Sequence, residues 1–135
     1  MKSTKSKSQW YLDSGCSRHM TGDKDQFTSL KTKDGGSITF GDNAKGKIMG
    51  IGKIGNSKTL SVQHVLLVDG LKHNLLSISQ LFDMGNNVTF YPKNCFVSSL
   101  NDDKVIFKGE RVDNVYIIDL NDVCNKEYKC FIVIL

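Results

Sequence analysis

The 135-residue sequence predicts an all-β fold, a small closed or nearly closed β-barrel. Short apolar or alternating runs recur along the chain, separated by turn residues. Only one stretch has helical spacing. There is no internal repeat, and 39% hydrophobic with 24% charged residues suits one globular domain with a real core.

Taken in order, Trp10-Tyr11-Leu12 is an apolar strand that runs straight into Asp13-Ser14-Gly15, and Ser37-Ile38-Thr39-Phe40 is a second strand. The turn cluster Gly41-Asp42-Asn43-Ala44-Lys45-Gly46 follows. Lys47 to Ile54 then places Ile48, Gly50, Gly52 and Ile54 on one face and Met49 and Ile51 on the other. Two strands around such a turn read as a glycine-rich hairpin. Gly55-Asn56-Ser57 turns the chain into a strand from Leu60 to Val68, whose continuously apolar end is expected to be buried on both faces. Asp69-Gly70 stops it. Leu71, Leu75, Ile78 and Phe82 fall at helical spacing, Ser77-Ile78-Ser79-Gln80 has the form of a capping box, and Gly85 that of a C-terminal stop. Strands at Asn87–Tyr91, Cys95–Val97, Val105–Phe107 and Val115–Ile118 complete the pattern. The expected division is a basic leader over 1–8, the barrel over 9–98, a pair of strands within 99–120 and a tail over 121–135.

Composition narrows the function classes. The net charge of +4 owes much to Lys2, Lys5 and Lys7 in the leader; the rest of the chain is almost neutral. No basic face for nucleic acid is expected. No apolar run is long enough to span a bilayer, and residues 1–8 hold no apolar stretch like that of a secretory signal. A cytoplasmic chain with its four cysteines, Cys16, Cys95, Cys124 and Cys130, as thiols is therefore expected. Cys16 and His19 have the spacing of half a zinc knuckle. The other half would have to be Cys124 and Cys130, with five residues between them in the tail, so neither a metal nor another cofactor is expected.

The chemistry centres on Asp13. An acid that ends an apolar strand is costly unless its carboxylate is used. Gly15 allows backbone geometry that a side chain would forbid, and Ser14 brings a hydroxyl that can bond nearby backbone. Such a triplet also occurs in ordinary turns. Aspartic-protease chemistry needs two carboxylates that share a proton. Asp69-Gly70 follows an apolar strand but lacks the hydroxyl residue between acid and glycine, and it lies too soon after Asp13 for a second lobe. Asp34-Gly35 is a loop. A second carboxylate would then have to come from Asp13 of another copy, which implies a symmetric homodimer.

The segment Trp10 to Thr21, WYLDSGCSRHMT, resembles the protease signature of copia-type retrotransposon Pol polyproteins. Val65 to Leu81, VLLVDGLKHNLLSISQL, resembles the second hallmark of that family, and the two stand in the family's order with a glycine-rich hairpin between them. The resemblance covers roughly residues 9–120. It implies a retropepsin-like β-barrel with Asp13 as catalytic aspartate and Ser14 and Gly15 completing the catalytic loop. Gly41, Asp42, Gly46, Ile48, Gly50 and Gly52 would belong to a substrate-covering flap, and Gly70, Leu71 and Asn74 would support the catalytic loop. The substrate would be polypeptide, the chain's own polyprotein, cleaved by a homodimer. Residues 105–120 resemble the start of the linker that precedes integrase. The chain is expected to be a fragment, without the family's upstream zinc knuckle and downstream integrase. Its residues from Val123 onward match no part of the family.

Other groupings have plainer readings. His19 is expected to be a loop histidine bonded to backbone, His64 to face solvent and His73 to be structural. A Ser14–His19 hydrolase lacks the Gly-x-Ser-x-Gly elbow. Cys16 with His19 has the elements of a thiol protease and nothing more. The glycines of 41–52 are not followed by Gly-Lys-Ser/Thr and a helix, so they do not form a phosphate loop. A second function class stays open at this point: a barrel of the same ancestry that does not dimerise or cleave and serves as a structural or binding module.

Overall fold

Trp10 sets the centre of the fold. It is fully buried in β1 (Gln9–Asp13), and the computed structural model, which describes residues 9–40, 44–55 and 61–123 (the last three as backbone), builds a sheet outward from that strand. The chain continues through β2 (Met20–Thr21), a turn of 3-10 helix at Lys24–Gln26, β3 (Phe27–Thr32), β4 (Ser37–Phe40), β5 (Ala44–Ile54) and β6 (Val62–Val68). It ends with β7 (Asn74–Ser77), α1 (Ile78–Asp83), β8 (Asn86–Phe90), β9 (Asn94–Ser99), β10 (Val105–Val112) and β11 (Val115–Val123). The leader, Gly41, Asp42, the turn residues Asn56 and Ser57, Leu60, Cys124, Cys130 and the rest of the tail lie outside the described residues.

The all-β class with one short α-helix is what the structure has. The eleven strands form one sheet in the order β3-β5-β6-β2-β7-β1-β11-β10-β9-β8, with β4 paired to β5 beside that path. Among the described residues the strands follow an open path rather than a closed ring. The sheet extends past β1 because β11 pairs antiparallel with it, Trp10 opposite Ile118, and Ile118 and Leu120 join the core around Trp10. The strands of residues 99–120 are thus continuous with the rest of the sheet. Burying side chains such as Trp10, Leu76 and Ile118 contributes about 2 kcal/mol each.

Two further differences from the sequence reading have local causes. Leu71 and Leu75, read as part of a helix, precede it: Asn74 to Ser77 is a strand, and α1 begins only at Ile78. The helical spacing was outweighed by pairing, since Trp10, Tyr11, Leu12 and Asp13 lie in parallel register with Asn74, Leu75, Leu76 and Ser77. The cap itself is formed. Ser77 Oγ accepts from the Gln80 amide at 3.1 Å, and Gly85, with φ of +90°, follows the helix end as a residue without a Cβ can.

The hairpin strand is the second difference. β5 is 11 residues long, and only its first part, Ala44 to Lys47, pairs with β4. Its second part, with Gly50 and Gly52, lies between β3 and β6. A Cβ on Gly52 would overlap the Ser29 carbonyl and come within 2.9 Å of Leu30 Cα. These two glycines therefore let β3 approach β5 closely, a position inside the sheet rather than in a free flap. Val65, Leu66 and Val68 are buried, as the apolar run suggested.

Candidate active site

Topology places Asp13. In the sheet, β7 sits between β1 and β2, so the chain leaving β1 must arch over the C-terminal end of β7 before it enters β2. Asp13 ends β1 opposite Ser77, which ends β7. The arch, residues 14–19, is therefore built directly above Ser77 and the first turn of α1.

Two hydrogen bonds fix the first part of the arch. The Gly15 N–H donates to Asp13 Oδ1 at 2.7 Å, so the loop's own backbone orients the carboxylate. A Cβ on Gly15 would stand 3.2 Å from the same oxygen, tight enough to disturb it. The Ser77 hydroxyl donates to the Cys16 carbonyl at 2.8 Å. Asp13 is half-buried while Ser14 and Gly15 are exposed, so the carboxylate stands at the surface of this one chain. Ser77→Ala would strand the Cys16 carbonyl and the Gln80 amide in a buried site. A loss of about 2 kcal/mol in urea unfolding is expected, with Ser77→Thr recovering most of it.

The support residues are more dispersed. Asn74 Nδ2 donates to the Gln9 carbonyl at 2.9 Å, and its Oδ1 accepts from Thr21 Oγ1 at 2.6 Å. It ties the start of β1 to β2, at the far end of the strand from Asp13. Gly70 has φ of +83° in the turn after Val68, and Leu71 packs with Cys16, Met20, Leu66 and Val68. A Cβ on Gly22 would overlap the Leu71 carbonyl, so this turn lies close against the chain leaving β2. Ile38, Phe40 and Ile48 pack on the same cluster, which brings the root of the β4–β5 hairpin beside the arch. Gly46 meets Val68 there, and the Asp69 amide donates to the Lys47 carbonyl at 2.9 Å. Gly41 and Asp42, the expected tip, lie outside the described residues.

Cys16 and His19 do not form a nucleophile pair. The Cys16 thiol points to the Asp13 carbonyl at 3.8 Å, and burial, with the charge of Asp13 beside it, pushes its pKa up to about 12. It stays a protonated thiol, a poor nucleophile and a poor ligand. His19 is 1% exposed, and its Nδ1 accepts from the Ser77 amide at 2.9 Å. The expectation of a backbone-bonded histidine holds, but the ring is far more deeply buried than a loop position suggests. His64 is exposed, and the exposed His73 stacks at 5.0 Å on Tyr11. Among the described residues no three His, Cys, Asp or Glu side chains gather as a metal site would need, and no helix is long and apolar enough to cross a membrane.

Sequence reasoning missed one residue that shapes the arch, Gln80. The His19 amide donates to Gln80 Oε1 at 2.7 Å, and Gln80 is buried. Gln80 had been legible only as the end of a capping box; its side chain reaches the arch instead of closing back on the Ser77 amide. A cavity of about 230 Å³ borders the His19 ring and is lined also by Leu81, Met84, Val97 and Phe107; Asp13 is not part of it.

Two curated Arabidopsis thaliana proteins are similar to the chain. The retrovirus-related Pol polyprotein from transposon RE1 is 28% identical over 118 residues, and that from transposon RE2 is 28% identical over 112. These alignments cover 82% and 79% of this chain but only 8% of each relative, so the chain spans a small part of their length. No solved structure matches the chain. Residues 10–86, from Trp10 at the heart of β1 through the arch, the hairpin and α1, match the Pol polyprotein, beta-barrel domain family. That match takes in more than half of the sequence, and the chain belongs to this family, a region of retrotransposon Pol polyproteins.

Proposed function

We propose that the chain is the half-site of a retropepsin-like aspartic endopeptidase of the copia type, which cleaves peptide bonds of its own polyprotein as a cytoplasmic homodimer. What supports it is the Asp13 arch: a surface carboxylate at the end of an apolar strand, held at 2.7 Å by the Gly15 N–H. The carboxylate is half-buried at the surface of the chain, where it can meet a water or a facing carboxylic acid. One chain supplies one such arch, so a two-fold axis through it would bring two Asp13 side chains face to face.

In the dimer one carboxylate takes a proton from a bound water, which attacks the peptide carbonyl. The other, protonated, donates to the carbonyl oxygen and then helps the amine leave. The two share one proton because like charges at that distance cannot both persist. The hairpin rooted beside the arch would cover the bound peptide.

A dissociable dimer makes activity depend on concentration. With a proteome-derived peptide mixture as substrate, the cleavage rate per chain should rise with chain concentration and level off where sedimentation shows dimer. A hydroxyl-bearing mimic of the tetrahedral intermediate should inhibit it. Constant activity per chain across a range in which the protein is monomeric would rule out the shared dyad. A monomer with no cleavage at any concentration would favour a structural module of the same ancestry.

A further inference from the structure

Beneath the Asp13 arch lies a buried polar cluster that the peptidase reading does not use. At the end of the arch the His19 amide donates to Gln80 Oε1 at 2.7 Å, and His19 Nδ1 accepts from the Ser77 amide at 2.9 Å. The His19 carbonyl accepts from the Leu66 amide at 2.9 Å. Gln80 Nε2 donates to the His64 carbonyl at 3.1 Å and, more weakly, to that of Gln63 at 3.4 Å. His64 has φ of +60°, an unfavourable backbone for a residue with a Cβ, and this conformation accompanies a carbonyl turned toward Gln80. Two side chains thus join the arch, the first turn of α1 and β6 at one point. Their partners lie 61 and 58 residues away in sequence, so no local turn geometry accounts for them.

We propose that His19 and Gln80 are positioning residues: they latch the second half of the Asp13 arch to α1 and β6, and so set where the Asp13 carboxylate stands when a second copy faces it. The latch rests on reading Asp13 as half of a carboxylate dyad. Its two chemistries are complementary. The imidazole offers an acceptor at Nδ1 and carries its proton on Nε2, as the bond from Ser77 requires. The carboxamide accepts on one side and donates on the other, a task that neither a carboxylate nor an ammonium can perform. Without the latch, the arch keeps the Ser77 hydroxyl on the Cys16 carbonyl and the Leu66 amide on the His19 carbonyl, which hold its backbone but not the two side chains. A displacement of about 1 Å between reacting groups costs on the order of 100-fold in rate, so a loose arch matters for chemistry before it matters for folding.

The groups facing the imidazole keep it neutral. Burial is the largest cause, and the positive charges of Arg18 on its own loop and His64 on β6 act in the same direction. Gln80 from α1 and Ser77 from β7 do not titrate. Protonating Nδ1 would set an N–H against the Ser77 N–H and open the latch from the acid side.

The test uses the full chain with three substitutions. His19→Asn keeps an acceptor near the place of Nδ1, His19→Leu removes it, and Gln80→Met removes the acceptor for the His19 amide at similar volume. On the best-cut peptide of the mixture above, His19→Leu and Gln80→Met should lose about 100-fold in kcat with KM within about twofold, and His19→Asn should recover most of the loss. Hydrogen exchange at the Ser77 and Gly15 amides should accelerate in the same two variants and not in His19→Asn. The acid limb of the rate profile should move in both His19 variants and stay in place in Gln80→Met, which keeps the imidazole. Exchange and kcat like wild type in His19→Leu would overturn the latch. If His19→Leu does not fold, Gln80→Met carries the same two readouts. A cleaving Asp13→Asn variant would overturn the dyad instead, and the exchange rates would still decide whether the latch exists.

Discussion

Asp13→Asn is expected to lower the rate of peptide cleavage by about 1,000-fold or more while leaving the fold intact. The asparagine Oδ1 can still accept the Gly15 N–H that Asp13 accepts at 2.7 Å, so the arch keeps its shape. What disappears is the ability to take a proton from water or to share one across the two-fold axis. Because Asp13 is half-buried and ends its strand, exchanging its charge for an amide should change urea unfolding by less than about 1 kcal/mol. The variant also reports on assembly. Mixed in equal amounts with wild type and allowed to re-equilibrate, it should capture half of the wild-type chains in mixed dimers and cut activity per wild-type chain to about half. A site complete within one chain would leave that activity unchanged. A variant that cleaves like wild type would end the assignment of Asp13.

How far the sequence led depends on whether a signal was local. Strands β1, β4, β5, β6 and β8 to β11 were legible because each carries its own apolar run or alternation. β3, with only Phe27 and Leu30 half-buried at the end of the sheet, has too little apolar pattern to stand out. β2 is two residues long and exists because β6 and β7 flank it. Asn74 to Ser77 carried a helical spacing and became a strand because β1 offered a parallel partner. The same division runs through the site. The Asp13 triplet and the cap at Ser77 are contiguous and could be read. The meeting of His19 with Gln80 joins two motifs that the sequence showed separately, and nothing in either motif announces the other. The open strand order was equally out of reach, since it depends on where β11 docks.

His19 also gives the chain a specific weakness in acid. Its pKa lies near 4 in the fold, against an ordinary 6.5, chiefly because the ring is buried. Above pH 6.5 the ring is neutral folded or unfolded and contributes nothing to the pH dependence. As pH falls from 6.5 toward 4, the unfolded chain gains a proton that the folded chain refuses, so stability falls with pH and the loss is complete below about 4. A difference of this size corresponds to about 3 kcal/mol, a large share of the 5–15 kcal/mol that holds a typical domain together. Carboxylates also titrate in this range, so the comparison that isolates His19 is with His19→Asn. The urea-unfolding free energy of wild type should drop by about 3 kcal/mol more than that of the variant between pH 7 and pH 4. Equal losses in both would mean that His19 is not the neutral, latched ring described above. A dyad that shares one proton works toward the acid side, so the two effects oppose each other. The alkaline edge of activity would belong to the carboxylate pair and the acid edge to a histidine that never touches substrate, and His19→Asn should therefore extend the acid edge while leaving the alkaline edge in place.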